Sequence, residues 1–418
     1  MIPIYVDIKP RKNKLPYVNG FTKKLYRKHT ANPQVDLVDT THLYAVFGND
    51  FELVYKPISK IPKRNKFTKK APKFYYPIPL SLWSIETVFD QVEIEPEIIE
   101  QIKKGNCKIL LLCPFEGWTW TWWDSLLDIL KSKYDLKEKH VVFLSGNYNP
   151  HPTVKTVTFN TWERQIYGNY NGDTHYNTFM NAVERPRTHK FICLNRRPSI
   201  HRYATVTSLF DVKKQGILTC AKSAGYGKDY TDWVEDCFYQ DYPDLKEKYI
   251  NEVKPLIPLT YNDGINPEVQ NPASNEWGKI RKYYDSYLYI VTETFFENKA
   301  QGQDTLFLSE KMFKPIVFMQ PFVAIARPGT VKLLKELGYK TFGDYIDESY
   351  DDVLDDKTRL KMAITSINTF ISRTHEELNK LMIEMKPIFE HNYRLLKERH
   401  DVTIYKNLKE DLMNALME

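Results

Sequence analysis

The 418 residues carry a formal net charge of +6, with 42% hydrophobic and 14% aromatic side chains. That length exceeds one ordinary core and that composition excludes wholesale disorder, so two domains are expected. No run of about 18 apolar residues occurs and MIPIYVDIKPRKN lacks a long apolar region, which excludes a spanning helix and a secretory signal, so a cytoplasmic protein without a membrane partner is expected.

The chain opens with two acid-free stretches, residues 11–29 and 56–79, in which lysines and arginines alternate with prolines and aromatics. Lys66, Lys69 and Lys70 in the second are candidate phosphate contacts for a polyanion; the alternative is a pair of solvated loops. After an acidic patch at 93–102, CKILLLCPF (107–115) predicts a buried strand, WWDSLLDILKSKY a helix and HVVFLSGN a second strand. Continuous apolar strands in a βαβ rhythm indicate an α/β fold with a parallel sheet covered on both faces.

Residues 150–188 look irregular. A second series then begins with strand KFICLN, helix HRYATVTSLFDVKK and strand GILTCA, followed by a polar insertion from about 222 to 280. It resumes with strand SYLYIVTE, a helix at SEK, strand PFVAIA, helix GTVKLLKEL and a helical tail from about 353. The expected domains are 1–188, on the acceptor side, and 189–385, holding a nucleotide, with a helical tail at 386–418. Such halves place a cleft between them at the C-terminal ends of their strands.

Cys107, Cys113, Cys193, Cys220 and Cys237 show no CxxC spacing, so neither zinc nor a disulfide framework is indicated. GxGxxG, GxxxxGK[ST] and HExxH are missing, as is the Asp-x-Asp by which many sugar transferases hold a metal on a diphosphate. No metal or cofactor is therefore expected, and any phosphate must be met by Lys, Arg and backbone N–H groups. DESYDD (347–352) imitates a metal cluster, but acids near a helix N-terminus explain it with less.

LFLSEKMFKPIVFMQPF (306–322) places Lys311 and Lys314 in the first turns of a helix, where partial positive charge disfavours them. Ser309 can cap that helix. A diphosphate between its N-terminus, Lys311 and an arginine from 196, 197 or 202 would offset the placement. Glu310 is either a ribose ligand or a surface partner of Lys311. Asn195 and Glu293, at the ends of two strands, complete the candidate nucleotide-sugar site with Arg197, Arg202, Ser309, Glu310 and Lys311.

The stretch YLYIVTETFFENKAQGQDTLFLSEKMF resembles the donor motif of α1,3-fucosyltransferases, in which Phe-Glu-Asn is followed by Ile-Thr-Glu-Lys, and FICLNRRPSIHR is similar to the Asn and Arg element before it. Over roughly residues 105–400, most specifically at 286–352, the chain also resembles glycosyltransferase-like proteins of phages and other viruses. Thr292-Glu293-Thr294 stands where the fucosyltransferases have Phe-Glu-Asn. The resemblance implies a GT-B architecture of two Rossmann-like halves, with Arg197 or Arg202 and Lys311 on the diphosphate and Glu310 on the ribose.

An inverting transfer also needs a base for the acceptor hydroxyl. Glu116 in CPFEGW is the first candidate, in the half where the fucosyltransferases keep their glutamate, and Asp124 the second. Trp118 and Trp120, in EGWTWTWWDSL, are candidate acceptor-stacking rings, although at least two of its four tryptophans are expected in the core. His391 and Asn392 are either near the cleft or structural. The expected function is sugar transfer from a UDP- or GDP-sugar to a hydroxyl, with hydroxymethylated cytosine in double-stranded viral DNA as acceptor. The alternatives are a glycan acceptor, or a silent nucleic-acid-binding protein on the same scaffold.

Overall fold

The computed structural model describes residues 4–5, 53–54, 73–79, 94, 96–114, 117, 120–169, 172–222, 229–261, 281–297, 305–400 and 404–418. The chain forms two compact units. The first takes Met1–Thr161, Gln301–Phe307 and Val402–Glu418, and the second Trp162–Ala300 and Leu308–Asp401. The boundary therefore falls at 161 where the sequence suggested 188, and the last helix belongs to the first unit.

In the first unit the described strands are β1 (Ile4–Tyr5), β2 (Leu53–Val54), β3 (Phe74–Pro79), β4 (Cys107–Cys113), β5 (Val141–Ser145) and β6 (Lys155–Thr158). They form one parallel sheet in the order β2-β1-β3-β4-β5-β6. Helices α1 (Pro96–Lys103) and α2 (Trp120–Tyr134) connect its strands. β4 reads CKILLLC because both sides of it must be apolar. Ile109 and Leu111 meet Ile98 and Ile102 of α1 and Trp123, Leu126 and Leu130 of α2 on one face. Leu110 and Leu112 join Val142 and Leu144 on the other, under Leu408, Leu412 and Ala415 of a helix from the far end of the chain. Each such side chain contributes about 1.5–3 kcal/mol by leaving water.

The second unit begins with α3 (Thr161–Asn169), whose first residue lies in the first unit, and α4 (Gly172–Val183). The irregular look of 150–188 is thus corrected to β6 and two helices. Gly, Asn and Asp at 168–173 read as a turn, yet Ile166, Tyr167, Phe179, Met180 and Val183 recur at helical spacing and are buried. The unit continues with β7 (His189–Cys193), α5 (Ile200–Ser208), β8 (Ile217–Leu218), α6 (Thr231–Asp241), α7 (Pro243–Lys248), α8 (Arg281–Tyr284) and β9 (Ser286–Thr292). Then follow α9 (Glu310–Val317), β10 (Phe322–Ile325), α10 (Thr330–Glu336), α11 (Asp356–Ile371), α12 (His375–Glu384) and α13 (Lys386–Glu398). α14 (Ile404–Met417) is the helix covering the first sheet. The polar insertion also holds helices, α6 and α7, with Val234 and Phe238 buried one turn apart.

The second sheet is parallel throughout, in the order β10-β9-β7-β8. The chain leaves β7 toward β8 on one side and later returns as β9 on the other. The loops after β7 and β9 therefore part at the C-terminal ends of these neighbours, the topological switch point where open α/β sheets bind ligands. No described helix is long and apolar enough to cross a membrane.

Candidate functional site

At this switch point Asn195 ties three strands together. Its Oδ1 accepts the Thr292 hydroxyl (2.6 Å), its Nδ2 donates to the Thr219 carbonyl (3.2 Å), and its backbone N–H donates to the Thr219 hydroxyl (3.0 Å). Glu293 is 1% exposed and its carboxylate accepts from the Ser309 N–H and hydroxyl, each at 2.6 Å, and from the Thr294 N–H. Both were expected as ligand contacts; in the structure these bonds hold the end of β9 against the start of α9.

Arg202, 6% exposed on the first turn of α5, braces the same corner. Its guanidinium donates to the carbonyls of Arg197 (3.1 Å), Thr292 (3.4 Å) and Glu293 (3.2 Å), which leaves its Nε without a partner among the described residues. Burial lowers its pKa, and Glu293 and Glu310 oppose that shift. His201, beside it, is 1% exposed, donates from Nε2 to the Glu293 carbonyl (2.9 Å) and stacks on Phe296. Arg196 and Arg197 are exposed on the loop after β7.

α9 starts as expected. Ser309 caps it by accepting from the Lys311 N–H at 3.3 Å, and Pro315 lies within its eight residues. Lys311 Nζ reaches Glu310 (2.9 Å), the Ser309 hydroxyl (3.1 Å) and the Thr294 hydroxyl (3.2 Å). The Glu310–Lys311 pair is not a solvated surface pair, because the two side chains are only 12% and 23% exposed. Burial raises the Glu310 pKa, but Lys311 and Lys314 outweigh it and hold the carboxyl down at about 2.

Lys314, one turn on, is 9% exposed, and burial takes its pKa down to about 8 against the pull of Glu310. Lys311, Lys282 and Arg196 push in the same direction as burial. Lys282 was not foreseen, since nothing in a four-residue helix before β9 marks its effect on Lys314. Lys311 and Lys314 thus act on Glu310, while Arg202 braces the corner at Glu293, whose carboxylate is already bonded to backbone and hydroxyl groups. This arrangement suits a ligand carrying more than one negative charge.

Of the expected acceptor-side residues, Lys66, Lys69, Lys70, Glu116 and Trp118 lie outside the described residues. Trp120 is corrected: it is 4% exposed and stacked on Phe143 (5.8 Å) with its edge contact to His151, so its ring belongs to the core, as does that of Trp123. Asp124 accepts from His151 Nε2 (3.0 Å), while His151 Nδ1 accepts from the N–H groups of Thr153 and Val154, which fixes the tautomer. Gly117, immediately after Glu116, allows a close approach of Phe307, since a Cβ there would stand 2.3 Å from the Phe307 Cβ.

Elsewhere the acids of 347–352 serve neighbouring backbone. Asp351 accepts from Val331 and Lys332 at the start of α10, and Glu348 accepts from Phe342. His391 donates to the Gly338 carbonyl, and Asn392 bonds in both directions to the backbone of Lys340. Cys107, Cys113, Cys193 and Cys220 are buried free thiols. Comparison of the chain with protein-family models, with curated proteins and with solved structures found no match.

Proposed function

We propose that this chain is a glycosyltransferase of GT-B type that moves a sugar from a UDP- or GDP-sugar to a hydroxyl acceptor, with cations in place of a metal at the diphosphate. One observation carries the reading: the N-terminus of α9, at the switch point of a parallel sheet, concentrates cations around a buried, ionised Glu310. Lys311 and the positive end of α9 neutralise the diphosphate as it leaves, when its charge grows most. Arg202 holds the β9 corner in place. Glu310, held ionised, accepts from ribose hydroxyls. The likeness of LFLSEKMF to the fucosyltransferase donor motif supports the same roles.

Glu116 is the proposed base. It takes the acceptor hydroxyl proton as the oxygen attacks the anomeric carbon, a contribution of about 10²–10⁴-fold. The proposed acceptor is a hydroxymethylated base in duplex DNA, supported by the acid-free segments 11–29 and 56–79, whose cations suit phosphate contacts. The test is mass spectrometry of hydroxymethylcytosine DNA and plain DNA after incubation with the protein and a panel of UDP- and GDP-sugars. A gain of one pentose or hexose on the modified DNA alone is expected. Donor turnover with no gain on DNA would move the acceptor to a glycan, and salt-dependent DNA binding with no donor turnover would leave a binding protein.

A further inference from the structure

Arg187 lies on the connection between α4 and β7, at the end of the second sheet opposite the switch point. It meets β9 at Ser286, and β9 then rises by about 20 Å to Thr292 at the candidate site, too far for one small ligand to reach both ends. Its side chain is buried, 4% exposed. Nη1 donates to the Ser286 carbonyl at 2.6 Å, and Gln320 Nε2 donates to the same oxygen at 2.8 Å, so both lone pairs of that acceptor are taken. The Tyr287 hydroxyl accepts from the Arg187 N–H (3.0 Å) and donates to the His375 carbonyl (3.2 Å), while His375 Nδ1 donates to the Arg187 carbonyl (3.1 Å). Ser286, Tyr287 and His375 thus fix the backbone of Arg187 and one corner of its guanidinium.

The opposite edge of that guanidinium is unmet. Nε and Nη2 are both shut off from water, and neither has a hydrogen-bond partner among the described residues. With Nη1 engaged, these two present parallel N–H bonds, the fork that a carboxylate or phosphate accepts with two oxygens. Asp285 is a carboxylate that acts on Arg187, yet the two form no ion pair. Burial lowers the Arg187 pKa to about 10, against the pull of Tyr287 and Asp285. A buried cation with two donors unmet is unfavourable, and an anion bonded to both removes that penalty.

We propose that the Nε–Nη2 edge of Arg187 is a binding site for a small oxyanion, held through two oxygens at the N-terminal end of the second sheet. A carboxylate and a phosphate group share the required chemistry, two oxygens on one side of the group; chloride, a single atom, does not span both N–H bonds. His375 is exposed where Arg187 is buried, and its ring packs on Tyr287 at 5.7 Å, so the anion enters by turning aside an exposed side chain while the sheet stays intact. Once bound, it completes the corner where the α4–β7 connection, β9 and the start of α12 meet, and so stabilises the second unit. The site uses none of the α9 residues and does not rest on the transferase reading.

The experiment is thermal melting of the full chain and its Arg187→Met and Arg187→Lys variants near pH 7, in sodium acetate, inorganic phosphate or sodium chloride at equal ionic strength. The quantity read is the rise over chloride in wild type minus the rise in the variant, which cancels bulk salt effects and any phosphate bound at α9. Wild type is expected to exceed Arg187→Met by about 2 °C or more in at least one of the two anions. An excess in acetate assigns a carboxylate, and an excess in phosphate alone assigns a phosphate group. Arg187→Lys keeps the charge and lacks the fork, so it is expected to lose most of the same excess. Equal responses of wild type and Arg187→Met to both anions overturn the proposal. If Arg187→Met does not fold, Arg187→Lys carries the test: loss of the response supports the site and its full retention overturns it.

Discussion

Glu310 shows how one residue sets the charge of a site. Its carboxyl would ordinarily titrate near 4.5, burial alone would raise that value, and Lys311 and Lys314 bring it down to about 2. A folded-state pKa below the unfolded one contributes stability that is fully present above about pH 4.5 and is lost as pH falls toward 2. Glu310→Gln is therefore expected to melt below wild type near neutral pH, and the gap is expected to close as pH falls through this range. Thermal melts of both proteins across the range check it; a gap that persists at the acid end would mean that Glu310 acts through shape and not charge. Asn195 and Glu293 teach the complementary lesson. A polar residue at the end of a strand reads as a ligand contact from sequence, and only the fold shows that these two also bond Thr219, Thr292, Thr294 and Ser309.

Elements are where the sequence was most and least legible. β4, β5, β7, β9 and α9 were readable because continuous apolar runs, a serine cap and a 3.6-residue period are local signals. α14 was readable as a helix but not as a cover. That its Leu412 lies on Leu110 and Leu144 depends on contacts about 270 to 300 residues apart in sequence, which periodicity does not encode. If α14 were a dispensable tail, Leu412→Ala would change little. As the cover of a sheet face, with Leu412 fully buried, it is expected to lose about 2–5 kcal/mol, measured by urea unfolding monitored by circular dichroism.

Across the whole molecule the two units place lysines at opposite ends of helices. In the first, Lys73 and Lys108 donate to the last carbonyls of α14 and Lys155 pairs with Glu418, where helix polarity favours cations and nothing further is required. In the second, Lys311 and Lys314 lie in the first turns of α9, where polarity opposes them, and Glu310 offsets only part of that charge. Such a surplus suits an anionic ligand. The acid-free stretches 11–29 and 56–79, the second of which ends in β3, motivate the proposed polyanionic acceptor. Replacing Lys66, Lys69 and Lys70 together is expected to lower the slope of log affinity for duplex DNA against log salt by about 2.7, at about 0.9 per phosphate contact, and an unchanged slope would remove those lysines from the interface. The claim at the centre of the account is tested most directly by titrating UDP and GDP into wild type and Lys311→Ala in a calorimeter near neutral pH. One of the two nucleotides is expected to bind wild type, with affinity lower by about 10-fold or more in the variant. Binding that is indifferent to Lys311, or no binding of either nucleotide, would contradict the assignment of the α9 N-terminus as a diphosphate site.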